Sequence, residues 1–468
     1  MRAIIFTFLL AISAISQVKE NEVRTLTPEE PIERELKSGE SHSYRISLKT
    51  GQFLHLTIEQ RGIDVVVRLF GPDGSKLAEM NNRHIAYGVE PLSAEASGDG
   101  DYRIEIAANS AFNGMYVVRV DKPRPVTTSD RERIEAERAA AEGQRLRMLN
   151  KAESYRPALE QYQVALQKWR QLDDRYWQAT TLTNIGLVYS QLEENDKALS
   201  AYNEALPLAK EIKDLGCEWR ILNNLAGLFA RRDKQKAIDY YKQALQVIGT
   251  VGDRPSEALT LTNLADSYGS LQDYSNARSY YDQSLKFQRE LKDRASEART
   301  LYQLGFTYKE LKQNEIARAS YEQALIIERE LKDRAGEAIV LDGLGFLFFT
   351  MKDYEKARAE FEQELQIRLE LSDREGEASA LSNIALTYWA GDVYSKAIEW
   401  YTQALKGYRD LKNREDEARV LTRLGYSQRK LNQFDAGRQS YIQALEILHA
   451  EVILSRAVIA RARVVWRR

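Results

Sequence analysis

The chain has 468 residues, of which 43% are hydrophobic and 29% are charged, so it can bury a core and is not disordered by composition. Its 67 Lys and Arg residues nearly balance 69 Asp and Glu residues, which argues against nucleic-acid binding because that binding needs a basic excess. The single cysteine, Cys217, excludes an intramolecular disulfide and a Cys-based zinc cluster, and the four histidines lack metal-ligand spacing. Composition therefore predicts neither a metal nor a cofactor.

The chain begins with the features of an export signal. Arg2 gives a positive start, residues 3–15 are almost wholly apolar, and Ala14 and Ser16 supply the small residues that a signal peptidase reads. The apolar run is too short to cross a hydrocarbon core of about 30 Å, so cleavage is favoured over anchoring. We expect a signal peptide at residues 1–16 and a periplasmic or extracellular protein; a buried N-terminal strand or helix is the other interpretation. No later segment has the length of a transmembrane span.

Residues 24–122 carry the period-two pattern of β-strands that bury one face. Leu54, Leu56 and Ile58 alternate with other side chains, and residues 102–106 repeat the pattern. Short strands separated by Gly- and Pro-containing turns are typical of a small antiparallel β-sandwich. The sequence therefore predicts such a domain at the N-terminal end.

Four motifs of this region resemble the pre-peptidase C-terminal type of bacterial β-domain: Ser43–Ile46, Gly51–Leu54, Leu69–Gly74 and Gly100–Ile104. The resemblance implies an exported accessory module without chemistry of its own. The segment 123–133 follows, and its prolines Pro123 and Pro125 predict a linker.

A 40-residue repeat fills the rest of the chain. Asp253, Asp293, Asp333, Asp373 and Asn413 recur at intervals of 40, each with Arg next and a Glu-Ala pair three residues after that Arg. This spacing predicts seven repeats over residues 174–450, and a degenerate copy precedes them at residues 134–173.

Each repeat has the pattern of two helices. The Asp or Asn stands where an N-cap belongs, and the following Glu lies near the positive end of the helix dipole. The first helix carries a column of small residues: Gly186, Ala226, Ala265, Gly305, Gly345, Ala385 and Gly425. The second helix carries a column of aromatic residues: Tyr202, Tyr241, Tyr281, Tyr321, Phe361, Tyr401 and Tyr441. The small residues let the two helix backbones of a repeat approach each other, and the aromatic rings fill the space beside them. One pair cannot bury its apolar face alone, so the pairs must stack.

These columns resemble the tetratricopeptide repeat, in the 40-residue form found in kinesin light chains and bacterial scaffolds. The resemblance implies an all-α superhelical solenoid, so the predicted fold class is α+β multidomain, a β-sandwich followed by this solenoid. The shorter form has proline at the end of its second helix. Here the segments 291–294 and 331–334, both Leu-Lys-Asp-Arg, are expected to extend that helix instead.

The first helices of such a solenoid line a groove that binds extended peptides or partner helices. Carboxamides in one column can hydrogen-bond a peptide main chain or bridge adjacent helices, and the column reads Asn184, Asn224, Asn263, Gln303, Gly343, Asn383 and Arg423. Neighbouring columns favour an acidic partner segment or form an ordinary solvated face: Arg220, Arg299, Arg419, Tyr302, Lys309, Arg429 and Lys430. Large apolar residues form an anchor pocket or inter-repeat core: Phe306, Phe346, Phe349, Trp389 and Tyr426.

A β-sandwich followed by this array is similar to exported proteins that often end in a CHAT-type domain, a caspase-like cysteine protease. That chemistry needs a cysteine and a histidine brought together, yet no cysteine follows Cys217 and only His449 follows His84. The last segment, 451–468, mixes arginines with apolar residues. It fits a helix that caps the array, a basic amphipathic surface helix or a remnant of a longer protein.

We therefore predict an exported, non-enzymatic scaffold that binds a protein or peptide in the groove of its helical repeats. Two other functions stay open. One is the recognition arm of a CHAT-type protease system whose catalytic domain is missing or separately encoded. The other is carbohydrate binding at the cell envelope through the β-domain.

Overall fold

The computed structural model of the protein describes residues 23–81, 87–109 and 113–465, so the expected signal peptide lies outside the described residues. The chain divides into two compact units, Met1–Glu257 and Ala258–Arg468. Within the described ranges, strands occur only in the first unit, and helices occupy the rest. The fold class predicted from the sequence, a β region followed by a helical-repeat solenoid, is confirmed.

The described residues of the β region form ten strands: β1 (Arg24–Thr25), β2 (Ile32–Leu36), β3 (Ser41–Leu48), β4 (Gln52–Arg61), β5 (Val65–Phe70), β6 (Lys76–Met80), β7 (Tyr87–Glu95), β8 (Gly100–Ala108), β9 (Gly114–Val120) and β10 (Arg124–Pro125). One sheet has the order β1-β3-β8-β5-β6, and the other has the order β10-β4-β9-β2 with β7 also paired to β4. All pairings are antiparallel except β1 with β3.

The alternating residues of the two sheets share one apolar core. Leu56 on β4 and Tyr102 on β8 belong to different sheets, and both are fully buried in this cluster. Their neighbours in the strand alternation face the other way, as the period of two requires.

Sixteen helices follow in the described residues: α1 (Thr128–Met148), α2 (Ala152–Gln171), α3 (Arg175–Gln191), α4 (Asn195–Glu211), α5 (Leu215–Phe229), α6 (Lys234–Val251), α7 (Arg254–Ser270), α8 (Tyr274–Leu291), α9 (Arg294–Glu310), α10 (Asn314–Leu331), α11 (Arg334–Thr350), α12 (Tyr354–Glu370), α13 (Arg374–Ala390), α14 (Tyr394–Asp410), α15 (Arg414–Lys430) and α16 (Phe434–Val465). Successive helices pack as antiparallel pairs such as α9 with α10 and α11 with α12. The segment 451–465, predicted as a cap or tail, continues α16.

The predicted N-caps are present. Asp293, Asp333 and Asp373 each accept a hydrogen bond from the backbone N–H three residues on, which satisfies one of the orphan donors of the first turn. Asn413 does the same at the start of α15.

The expectation that Leu-Lys-Asp-Arg extends the second helix is wrong. α8 ends at Leu291 and α10 at Leu331, and the next residues, Lys292 and Lys332, adopt left-handed backbone with φ of 56° and 58°. These helices end here for a local reason: the Asp that follows each Lys caps the next helix, and an N-cap residue does not have helical backbone geometry.

The small and aromatic columns meet inside each pair. A Cβ added at Gly345 on α11 would lie 2.4 Å from the ring of Phe361 on α12, and one added at Gly186 would lie 2.5 Å from the ring of Tyr202. Glycine at these positions therefore lets the ring pack directly on the opposite backbone.

The segment 123–133 is structured rather than an open linker. Arg124 and Pro125 form β10 against β4, and α1 begins at Thr128 behind a capping box in which Thr127 and Asp130 exchange hydrogen bonds. The prolines, which predicted a linker, do not separate the β region from α1.

The β region contacts α1 through a buried polar cluster. The Glu137 carboxylate on α1 accepts hydrogen bonds from the backbone N–H of Ser93, at 2.7 Å, and from its hydroxyl, at 2.8 Å. The Ser93 hydroxyl also lies 2.9 Å from Nδ1 of His55. Nearby, Arg131 makes a two-point ion pair with Glu95. These contacts join β4, β7 and α1 within the first unit.

Candidate binding site

In the second unit, the first helices of neighbouring repeats contact one another: α9 contacts α11, and α13 contacts α15. Helices α11 to α15 line a cavity of about 650 Å³, which we call the acidic pocket. Its lining is Asp342, Phe346, Glu364, Arg368, Asp373, Glu375, Gly376, Ser379, Ser382, Asn383, Leu386, Tyr408, Asp416, Arg419 and Arg423. Carboxyl groups outnumber guanidinium groups in this lining, so the pocket has an acidic excess.

Two carboxyl groups, half-buried Asp342 and buried Glu364, are the inner carboxyl groups of the pocket. Asp342 on α11 accepts a hydrogen bond from the amide of Asn383 on α13, at 3.1 Å. Glu364 on α12 is 2% exposed, and its Oε1 accepts from Nε of Arg368 at 3.2 Å. Its other oxygen, Oε2, is buried and meets no hydrogen-bond donor among the described residues.

Burial changes the proton affinity of both groups. Burial, and next the Asp342 carboxylate, raise the pKa of Glu364 to about 8, although Arg368 opposes the rise. Burial also raises the pKa of Asp342 to about 6, against the attraction of Arg368 and Lys309. Both shifts favour the protonated form of these carboxyl groups.

Two of the three arginines that line the pocket, Arg368 and Arg419, have carboxylate partners. Arg368 pairs with Asp373 at 2.9 Å as well as with Glu364. Arg419 pairs with Asp416 at 2.6 Å and with Glu415 at 3.0 Å. By contrast, Asp342 forms no ion pair with any described residue, since the nearest donor is a neutral amide.

The groove residues proposed from the sequence for the second unit are distributed along several repeats. Asn383, Phe346, Arg419 and Arg423 line the acidic pocket. Trp389 packs against Tyr426, with ring centroids 5.6 Å apart, and Phe349 packs against Tyr354 at 5.5 Å. Both are half-buried, so they contribute to contacts within the array and keep a free edge.

Four other proposed residues lie on α9. Phe306 is 40% exposed, and the ammonium of Lys309 lies 4.7 Å from the centre of its ring. Tyr302 is half-buried and packs against Tyr321 with ring centroids 5.6 Å apart. Arg299 is exposed. None of these four residues lines the acidic pocket.

The proposed residues of the first unit lie apart from that pocket in the chain. Asn184 is buried, and Asn224 is half-buried and lines a separate cavity of about 800 Å³. Arg220 is half-buried, and its Nη2 lies 3.9 Å from Sγ of Cys217. Asn263, on α7 in the second unit, is also half-buried. Partner binding by these residues stays a prediction.

Sequence reasoning missed Asp342, Glu364 and Arg368, although the repeat contains a signal. The position of Glu364 in the second helix is occupied by small residues in the other repeats: Ala205, Ala244, Ser284, Ala324, Ala404 and Ala444. All of these are buried. A carboxyl group in a buried column of alanine and serine marks this repeat as different, but Glu364 and Arg368 lie on a second helix, outside the first-helix columns that predicted the groove.

Within the described ranges, no group of three or more potential ligands is arranged to hold a metal ion, and no helix is long and apolar enough to cross a membrane.

The sequence model of the tetratricopeptide repeat matches residues 137–211, 220–290, 296–370, 344–410 and 376–450, which is more than half of the chain. The protein belongs to the tetratricopeptide repeat family. No curated protein matches the sequence significantly.

Several solved structures are similar to parts of the chain. A signal transduction ATPase with numerous domains from Pyrococcus horikoshii, with a tetratricopeptide repeat sensor, aligns with a TM-score of 0.53 and 15% identity over 71% of this chain and 57% of that one. BtubC from P. vanneervenii has a TM-score of 0.40 and 24% identity, over 53% and 93% of the two chains. A putative kinesin light chain from Podosopora anserina has a TM-score of 0.38 and 16% identity, over 42% and 97%.

Proposed function

We propose that this tetratricopeptide repeat protein is a scaffold that binds a protein or peptide partner on the face formed by its first helices. The observation that carries the proposal is the acidic pocket, which gathers polar side chains from α11, α12, α13 and α15 at one opening. Stacked repeats present such a surface because their helices keep the same orientation from one repeat to the next. A role in binding rather than turnover is part of the proposal and rests on the fold family.

Peptide display tests the proposal directly. The full chain is panned against a random peptide library, and binding of the enriched peptides is measured by calorimetry. Ser379→Trp on α13 places a large ring in the pocket lining, and we expect it to abolish binding. The matched control is Gln403→Trp on the exposed surface of α14, which should leave binding unchanged. Failure to enrich any peptide, or equal loss in both variants, would refute the proposal.

We also propose that the protein is exported and that its β region, through its resemblance to pre-peptidase C-terminal domains, is an accessory module. The support is the positive start, apolar run and small residues of the first 16 positions. N-terminal sequencing of the protein recovered from its producing cells tests export. A mature chain that begins at Gln17 is expected, and an intact Met1 would contradict export.

A further inference from the structure

We propose, building on the function proposed above, that the acidic pocket binds a lysine or arginine side chain of the partner polypeptide, with Asp342 and Glu364 as the groups that contact it. This assignment differs from the acidic partner that the arginine and lysine columns favoured, because it rests on a buried carboxyl oxygen without a donor and on a second carboxyl group without an ion pair among the described residues.

The first support is the buried oxygen of Glu364. Oε2 has no donor among the described residues, while the side chain that carries it lines the pocket. A buried carboxylate oxygen without a hydrogen bond is destabilising, and a charged N–H donor is the group that compensates it best. An ammonium or a guanidinium that enters the pocket supplies this donor.

The second support is the distribution of charge around the pair. Asp342 is held by the neutral amide of Asn383, whereas Arg368 divides its guanidinium between Glu364 and Asp373. Arg368 is therefore shared between two carboxyl groups, and Asp342 has no ion-pair partner among the described residues. A second positive charge completes the pairing.

The third support comes from the other repeats, which act as an internal control. The fold places Ala324 in the preceding repeat and Ala404 in the following one at the position of Glu364, and both are fully buried. The carboxyl group is thus not required to pack α12 against its neighbours. A buried ionisable group that packing does not need is typical of a binding site.

The source of the cation is a polypeptide rather than a free amine, because the pocket offers more than the carboxyl pair. Ser379 and Ser382 also line it, and their hydroxyl groups can hydrogen-bond the main chain on either side of an inserted side chain. A cavity of about 650 Å³ also lies within the size range of sites that hold such a segment.

The test uses the peptides enriched by the full chain in the display experiment. We expect these peptides to share a lysine or arginine, and its replacement by norleucine to weaken binding by about 10- to 100-fold, as the loss of a charged hydrogen-bonded pair predicts. Asp342→Asn and Glu364→Gln should weaken binding of the unmodified peptide to the same extent. For the norleucine peptide, these variants should have almost the same affinity as the native chain. Glu362→Gln, on the exposed side of α12, is the matched control. Circular dichroism establishes that each variant is folded.

The outcomes separate the two proposals. Peptides that bind and are blocked by Ser379→Trp, but lack a shared cation or ignore Glu364→Gln and Asp342→Asn, overturn the inference and leave the scaffold function standing. Enrichment of acidic peptides that depend on Arg423 overturns it as well. If no peptide binds, both proposals fail. Equal affinity for pentylammonium and for the lysine peptide would contradict the assignment to a polypeptide.

Discussion

Glu364 shows how a single residue can oppose the stability of its repeat. Its carboxyl group is 2% exposed and binds a proton more tightly than a carboxyl in water, because burial and Asp342 disfavour its ionised form. Between the ordinary pKa near 4.5 and the folded value of about 8, the folded chain binds more protons than the unfolded chain. The second unit therefore loses stability as the pH rises through this window.

We predict that Glu364→Ala stabilises the second unit while it removes cation binding. Alanine restores the residue that neighbouring repeats use, and the expected gain is about 0.5–2 kcal/mol, as for other substitutions that relieve a strained functional site. The gain should grow from pH 5 to pH 9, because the carboxyl group is ionised at the upper end. Urea unfolding at several pH values measures it.

The exposed Glu362→Ala on the same helix provides the comparison and should change stability little. A clear loss of stability in Glu364→Ala at every pH would mean that the carboxyl group is needed to hold Arg368, and that its role is structural.

Helices of adjacent repeats are tied by a recurring ion cluster. Glu337 on α11 accepts from Nε of Arg329 on α10 at 2.7 Å and also pairs with Arg334, and its side chain is 6% exposed. One repeat later, Glu377 pairs with Arg374 at 3.1 Å, and Leu369 occupies the position of the second arginine. The cluster is thus complete at one junction and incomplete at the next.

This difference predicts unequal costs for the same substitution. Glu337→Ala should lower the free energy of unfolding by about 1–3 kcal/mol, because it removes two charged hydrogen bonds to a buried acceptor. Glu377→Ala removes a more exposed pair and should cost about 1 kcal/mol or less. Thermal unfolding of both variants in the full chain measures the two effects. Equal shifts would show that burial of the carboxylate does not set its contribution.

The sequence predicted those features of the helices that short-range chemistry determines. The Asp and Asn caps and the pairing of Gly345 with an aromatic ring depend on short-range patterns that repeat every 40 residues. The ends of the second helices were missed because Lys292 takes a left-handed backbone that its side chain does not favour. The acidic pocket was missed because Asp342 and Glu364 lie on different helices, and only packing brings them together.

In the first unit as a whole, Glu137 couples the β region to α1 in a pH-dependent way. Burial raises the pKa of Glu137 to about 7, although the donors of Ser93, and Arg133, oppose the rise, and Asp174 adds to it. Burial also lowers the pKa of the adjacent His55. As the pH rises, the raised pKa of Glu137 lowers the stability of the native protein, whereas the lowered pKa of His55 increases it. The two effects on stability therefore partly offset each other.

We predict that Glu137→Gln separates them. The native carboxyl binds its proton more tightly than the unfolded one, so its contribution to stability is present at pH 4.5 and is lost as the pH rises through about 7. The variant lacks this loss, and its stability relative to the native protein should increase from pH 5 to pH 8. Amide hydrogen exchange in α1 measures the change for this unit alone.

The test depends on how the difference in stability between Glu137→Gln and the native protein changes with pH. The difference at a single pH is not sufficient, because an amide in place of the carboxylate also changes the hydrogen bonds with Ser93. If the difference between the two proteins is constant from pH 5 to pH 8, Glu137 does not titrate in this range.

The continuous path from β9 through β10 into the capping box at Thr127 has a consequence for dissecting this protein. A truncation at residue 123, where the prolines suggest a domain boundary, would separate α1 from Ser93 and Glu95. The Glu137 carboxyl would then be exposed to water beside an exposed apolar surface. Truncated helices prepared in this way are expected to aggregate or to be digested from their first pair inward. Proteolysis of the intact chain should instead spare this junction, because β10 pairs with β4 and Thr127 caps α1.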